Sequence, residues 1–420
     1  MSERGPGPRS PGLRVGYYGD DFTGSVDVLL QFARHGWAGR LFVGLPDAAE
    51  LRAAARENAV VGIAGIARSL VTSDMDAEVR PALEALVALR PHVVQYKACS
   101  TADSSPTVGS IGRVIEIGRE VVAERPVPML FAQPDFGRFT VFGHHFAAED
   151  GIVHRLDRQP TMSSHPSTPM RESDLVRHFA AQTKLPVGGV TRLQYGDLAA
   201  RLAEAPEAAV VLDAIDDADI ETVGRTLLGL PAPVFAVGSG GLSWGIGAAL
   251  PGDAAAIPAS TPARGPVLAV SGSRSAQTRR QVAHAAASGW LVEPLDFADR
   301  TAQILRVRSS LAAGRSVVLT SEDASAGADT LERIADVAAG IVRGSTHLTR
   351  RVIIAGGDTS GRVTRLLGVT SLSIAANPYG NVVLLRAASD APGIDDLELL
   401  LKGGQVGTDD LFESIRLLDV

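Results

Sequence analysis

The chain has 420 residues, 45% hydrophobic and 21% charged, with a net charge of −7. That length spans about two or three ordinary domains; the composition excludes a disordered or fibrous chain, and the acidic balance speaks against nucleic acid as the main partner. The single cysteine, Cys99, excludes an internal disulfide framework and suits a reducing cytoplasm.

The opening MSERGPGPRSPG lacks the apolar stretch of a signal peptide and reads as a disordered tail. Short apolar, β-branched runs then recur: LRVGYY (13–18), RLFVG (40–44), AVVGIAG (59–65), HVVQY (92–96) and PMLFA (128–132). Between them SVDVLLQFARHG, MDAEVRPALEALVALR and VGSIGRVIEIGREVVAE carry helical spacing of apolar residues. Strand–helix alternation predicts a mainly parallel sheet covered by helices. From 136 to 171 the pattern breaks into a stretch rich in histidine and proline, read as a long ordered loop. AVVLDA (209–214) and PVFAVGS (233–239) resume it. The Ala/Pro/Gly-rich 250–266 reads as a linker. A second series follows: VLAVSG (267–272), a helix over 275–288, SVVLTS (316–321), a helix over 327–343, RVIIAGG (351–357) and LSIA (372–375). The expectation is two α/β domains, 12–249 and 265–420, with mainly parallel sheets and a cleft between them. No apolar run is long enough to cross a bilayer, so no membrane partner is expected.

Of the 40 basic residues only three are lysines, Lys97, Lys184 and Lys402. A chain that uses arginine for ordinary charge retains lysine where a compact charge on a slim stem is needed.

No G-x-x-x-x-G-K-[ST] pattern occurs, and no GxGxxG follows the first strand. In YYGDDFTGSVD (17–27), Asp20 and Asp21 stand between a strand and a helix. They read as a general base with its neighbour or, the reading adjacent acids alone favour, as a helix cap. Arg68 in GIARSL reads as a carboxylate ligand or as a solvated arginine. QYKACSTADSSPTVGSIG (95–112) crowds hydroxyls around Lys97, with Ser100 and Thr101 placed to meet an anion or polyol, or to make an ordinary turn. Arg138 lies in FGRFTVFG. The histidines after it lack metal-ligand spacing and suit packing and loop hydrogen bonds better; no metal ligand is assigned. Three turns of the second half, VSGSRSAQT, GGDTSG and KGGQVG, offer backbone N–H groups to a phosphate compound.

Taken in order, these motifs resemble the four-carbon acid sugar kinases, the tetronate and 3-oxo-tetronate kinases among them. GDDFTG is similar to that family's DD-x-TG, FGRFTVFG to its Gly-Arg loop, VSGSRSAQTRRQ to SGS-x-S-x-x-T-x-x-Q, GGDTSG to GGET-(S/A)-G and KGGQVG to K-(S/G)-G-x-x-G. The resemblance implies an ATP-dependent kinase whose first domain binds the sugar acid and whose second binds ATP, with Mg²⁺. Carried over, the nucleotide positions are Ser271, Ser273, Gly356, Gly357, Asp358, Thr359, Lys402, Gly403 and Gly404. The acid falls near Arg68, Lys97, Ser100, Thr101 and Arg138, with Asp21 as first and Asp20 as second candidate to accept the hydroxyl proton. Two departures mark a divergent subgroup. Tyr96-Lys97-Ala98-Cys99-Ser100-Thr101 stands where the family has Lys-Lys-x-Asp-Ser-Thr, and Asp358 replaces a glutamate. A sugar-acid binder without phosphoryl transfer is the alternative, against which the retained aspartates and all three turns argue. A homo-oligomer is compatible with the chain.

Overall fold

The computed structural model describes residues 12–250, 252–253, 265–321 and 330–418. The N-terminal tail, most of the 250–266 linker and the start of the helix read at 327–343 lie outside these. The chain divides into two compact units, Met1–Ala256 and Ile257–Val420.

The first unit holds β1 (Val15–Gly19), β2 (Gly39–Val43), β3 (Val60–Ala64), β4 (Val93–Lys97) and β5 (Val127–Leu130). It continues with β6 (Arg138–Val141), β7 (His144–Glu149), β8 (Ile152–Arg155), β9 (Val187–Val190), β10 (Ala209–Leu212) and β11 (Val234–Gly238). Its main sheet runs β2-β3-β1-β4-β11-β5-β10-β9, with every pair parallel. Both faces are covered, so β1, β3, β4 and β11 are buried along their whole length and read as continuous apolar runs. Tyr18 and Tyr96 stack across β1 and β4 at 5.6 Å between ring centroids, and Tyr17 buries its hydroxyl by donating to Ser25 O at 2.9 Å.

The stretch 136–171 corrects the loop reading. β6, β7 and β8 form an antiparallel three-stranded sheet. Its turns put Phe142 (φ 49°) with Gly143 (φ 78°), and Asp150 (φ 51°) with Gly151 (φ 78°), in the left-handed region. Two-residue turns of that kind match strand twist, and Asp-Gly is a favoured pair for them.

The second unit holds β12 (Leu268–Ser271), β13 (Leu291–Pro294), β14 (Val317–Thr320), β15 (Arg351–Ala355), β16 (Val369–Tyr379), β17 (Val382–Ser389) and β18 (Glu398–Lys402). Its order is β13-β14-β12-β15-β18-β17-β16. The first five are parallel; β17 runs antiparallel to both β18 and β16. A core around Trp290, Val318, Ile353, Leu384 and Phe412 fills this unit.

In both units the chain turns from one side of its first strand to the other. β3 and β2 lie to one side of β1 and β4 to the other, while β14 and β13 lie to one side of β12 and β15 to the other. Ligands of open parallel sheets bind off the carboxyl ends of the strands at such switch points.

Candidate active site

At the first switch point Gly19 is level with Lys97, and Asp20 N–H donates to Lys97 O at 3.0 Å. Asp21 caps the helix Phe22–Arg34, its Oδ1 accepting from Gly24 N–H at 2.8 Å. Arg68, on the short turn Ala67–Ser69 after β3, faces both acids. It reaches Asp20 with Nη2 at 2.6 Å and Nε at 3.2 Å, and Asp21 with Nη1 at 2.8 Å and Nη2 at 2.9 Å. The guanidinium is thus spent on two carboxylates rather than solvated. The acids differ in access: the Asp20 side chain is 3% exposed and that of Asp21 31%. Burial pushes the Asp20 carboxyl up to about 6, against the pull of Arg68 and with the push of Asp21.

Lys97 is buried. Its Nζ donates to Ala98 O at 2.9 Å and lies 3.9 Å from Asp27 Oδ2. Gly24 leaves room for this arrangement: a Cβ there would stand 2.4 Å from Asp21 Oδ1 and 3.1 Å from Lys97 Nζ.

The following loop is tied down from below. Ser100 O accepts from His145 Nε2–H at 2.8 Å, so the other ring nitrogen accepts from Thr140 Oγ1 at 2.9 Å. Thr101 Oγ1 donates to Asp103 Oδ1 at 2.6 Å and is 2.9 Å from Cys99 Sγ. Burial, with the Asp103 charge, raises the Cys99 thiol to about 11, so it stays neutral. His178 meets Ser104 Oγ and Gln182 Nε2, each at 3.0 Å. Burial lowers both His145 and His178 to about 4. Arg138 Nη1 donates to Phe136 O at 2.7 Å and Ala148 O at 3.0 Å, and burial lowers its pKa against the nearby Cys99, Asp103 and Glu149. Asp20, Asp21, Arg68 and Lys97 are therefore one cluster, while the Thr101 hydroxyl and one guanidinium nitrogen of Arg138 are engaged with their own loops.

At the second switch point, Gly272 N–H donates to Ala355 O at 2.8 Å and Gly356 N–H to Lys402 O at 2.9 Å. This seats the ends of β12, β15 and β18 side by side. Glycine is required here: a Cβ on Gly272 would lie 2.2 Å from Thr359 Oγ1, and Gly356 has φ 122°. Ser273 Oγ donates to Ser275 Oγ at 3.2 Å, and Ser271 Oγ reaches Ser273 O at 3.4 Å. Thr278 Oγ1 donates to Gly404 O at 3.0 Å and accepts from Lys402 Nζ at 3.0 Å. Gly404 packs on Ser273, and Gly403 is half-buried. Gly357 opens the helix Gly357–Leu366; the side chain of Asp358 lies outside what the structure describes. Lys402 is 1% exposed, no carboxylate among the described residues lies within ion-pair distance, and burial lowers its ammonium to about 8. Thr278 was not singled out from the sequence, though it is the threonine of SRSAQTRRQ; its signal is the Lys402 contact.

Sequence comparison matches residues 15–246 to a sugar-binding N-terminal domain and residues 268–412 to a nucleotide-binding C-terminal domain. A 3-oxo-isoapionate kinase of Paraburkholderia graminis is 37% identical, covering 96% of this chain and 94% of that one. A 3-oxo-tetronate kinase of Pseudomonas fluorescens is 32% identical, covering 96% of each, and a D-threonate kinase of Bordetella bronchiseptica is 28% identical, covering 94% and 97%. A solved structure from Salmonella typhimurium shares the fold with a TM-score of 0.81 at 24% identity, over 97% of this chain and 99% of its own. With both family domains matched in order and full-length relatives above 30% identity, the chain belongs to the four-carbon acid sugar kinase family.

Proposed function

We propose that the chain is an ATP-dependent kinase that phosphorylates a hydroxyl of a four-carbon sugar acid of the tetronate or oxo-tetronate type. The observation that carries this reading is Lys402. A buried ammonium with no carboxylate partner among the described residues, held by Thr278 Oγ1 at the end of β18 beside the turns of Gly272, Gly356 and Gly404, suits a phosphate group that supplies negative charge. Ser273, Thr359 and the backbone N–H groups of Gly357, Gly403 and Gly404 line the same turns and hold the triphosphate. Mg²⁺ fits as the companion of the phosphates, where it would neutralise their charge. It needs only one or two protein carboxylates, and no group of three or more His, Cys, Asp or Glu side chains forms a cage among the described residues.

Of the three cations expected to hold the acid's carboxylate, Lys97 has donors to spare. Arg68 is filled by Asp20 and Asp21, and Arg138 donates to main-chain carbonyls. Asp21 accepts the hydroxyl proton: it is the more exposed acid, and Arg68 aims it. Asp20, buried beneath, holds Arg68 in place. Catalysis of this kind is positioning and charge stabilisation. The lone cysteine supports a reducing compartment.

The test is ADP release from Mg-ATP across erythronates, threonates and their oxo forms, with longer aldonates and a blank without acceptor. Release that depends on one acid supports the reading and names the substrate. No release with any acid, while ATP still binds, overturns it.

A further inference from the structure

Beside Lys97 lies a second polar cluster that the roles above leave unused. Asp27, in the second turn of the helix Phe22–Arg34, accepts from Gln31 Nε2 at 2.8 Å and from Gln133 Nε2 at 3.4 Å, and it is the acid 3.9 Å from Lys97 Nζ. Gln133 follows β5 and is 1% exposed, yet its Oε1 has no hydrogen-bond partner among the described residues. The amide orientation follows from Asp27: a carboxylate only accepts, so the NH₂ faces it and the carbonyl oxygen is turned away unpaired. Against the pair stands the N-terminus of the helix Gly240–Ala249, capped by Ser239. A Cβ on Gly240 would lie 2.1 Å from Asp27 Oδ2 and 2.9 Å from Gln133 Nε2.

A buried amide oxygen left without a donor is costly, and native structures satisfy such atoms with protein, water or ligand. Here the surroundings are the half-buried carboxylate of Asp27, the exposed carboxylate of Asp135 that pairs with Arg34, a buried ammonium with N–H groups to spare and the positive end of a helix. The ammonium and helix end favour an anion; Asp27 and Gln133 Oε1 accept from hydroxyls. A hydroxylated carboxylate combines both. We propose that Asp27, Gln133 and the Gly240 helix end complete the acceptor subsite, and that Gln133 is a specificity-determining residue that accepts a hydrogen bond from one hydroxyl of the sugar acid. This rests on the kinase reading and on Lys97 as carboxylate ligand. It adds which side chains read the hydroxyl pattern.

The test is a cycle between Gln133→Leu and acid analogues that lack one hydroxyl at a time, read as kcat/KM for the acid and as KM for ATP in the full-length enzyme. The wild type should lose roughly ten- to a hundredfold in kcat/KM for one deoxy analogue. Gln133→Leu should lose a similar factor with the full substrate, lose little more with that analogue, and keep the wild-type KM for ATP. An unchanged kcat/KM for the acid overturns the proposal, as does a loss that is equal for every analogue. Gly240→Ala is the second variant: its methyl displaces the Asp27 carboxylate, and acid affinity should fall while ATP affinity holds. Calorimetric titration of the wild type and Gln133→Leu with the acid alone separates the two readings. Acid that binds the wild type more tightly than the variant, without ADP release, retains this subsite and removes the kinase reading. ADP release unaltered by the substitution does the opposite.

Discussion

Lys402→Met should make the ligand-free protein more stable and the kinase inactive. The folded chain holds the Lys402 ammonium at a pKa of about 8 against 10.5 for an ordinary lysine. At pH 7 that corresponds to about 3 kcal/mol of charge burial opposing the fold. Methionine fills a similar volume without charge, and it forfeits the Nζ bond to Thr278 Oγ1, worth about 1 kcal/mol. The net gain is about 2 kcal/mol, or roughly 4–8 °C in the melting temperature of a unit this size. The sign with pH follows from the protons. Between pH 8 and 10.5 the unfolded chain holds a proton that the folded chain has released, so wild-type stability from this group rises with pH there. The advantage of Lys402→Met is therefore full at pH 7 and gone near pH 10.5. Thermal unfolding of both proteins, with and without Mg-ATP, reads both effects. ATP should raise the wild-type midpoint and barely move that of the variant. A variant less stable than wild type at pH 7, with its ATP response intact, would refute both the unpaired charge and the phosphate site.

Asp21→Asn should lower kcat by roughly a hundredfold or more and leave ATP affinity unchanged in a binding titration; surviving turnover removes Asp21 as the proton acceptor. Burial holds the Asp20 carboxyl up at about 6, so the folded chain keeps a proton there that the unfolded chain has lost. Wild-type stability relative to Asp20→Asn should fall as pH rises from about 4 to 6, measured by urea unfolding. His145 and His178 are buried neutral, with pKa values near 4. Their share of stability is present above about 6.5 and lost as pH falls toward 4. Hydrogen exchange in the 98–104 loop should accelerate over that window, and equal rates at both ends would refute the tie to Ser100 O. Gly272→Val should weaken ATP binding and lower stability, because its side chain meets Thr359 Oγ1; unchanged ATP affinity would place the nucleotide elsewhere.

The parallel strands were legible because burial on both faces leaves them as unbroken apolar runs, as in Val60–Ala64 and Arg351–Ala355. The meander β6–β8 was not: its strands carry Arg138, His144, His154 and Arg155, and its outer strand is largely exposed. The signal that marks it is Asp150-Gly151, a turn pair rather than a hydrophobic period. Strand Val382–Ser389 was passed over as well, since an antiparallel strand packed beside parallel ones carries no helix before it to announce it. At the site, cap and chemistry were posed as rivals for Asp21, whereas the carboxylate caps Gly24 and binds Arg68 at once. Arg68 was ambiguous because an ion pair to residues 47 and 48 positions away leaves no local trace. Gln133 and Gly240 were invisible for a like reason: an orphaned amide oxygen is a property of packing, not of composition.

The scarcity of lysine did carry information, and its physical basis makes a sharp distinction between three positions. Lys97 and Lys402 are 3% and 1% exposed and close the ends of β4 and β18, whereas Lys184 is exposed. At Lys97 the point where a Gly24 methyl would sit is only 3.1 Å from Nζ, and at Lys402 the ammonium is held by the Thr278 hydroxyl. A planar guanidinium has five donors to satisfy and a wider head to place; among the described residues, neither site offers the carboxylate pair that Arg68 enjoys. Lys97→Arg should therefore lower kcat/KM for the acid by roughly tenfold or more, and Lys402→Arg should do the same for ATP, despite the retained charge. Lys184→Arg should change neither, and should alter stability by no more than about 0.5 kcal/mol. If arginine serves at 97 and 402 as well as lysine does, then charge alone is required there, and the slim stem is not what kept lysine at these two positions.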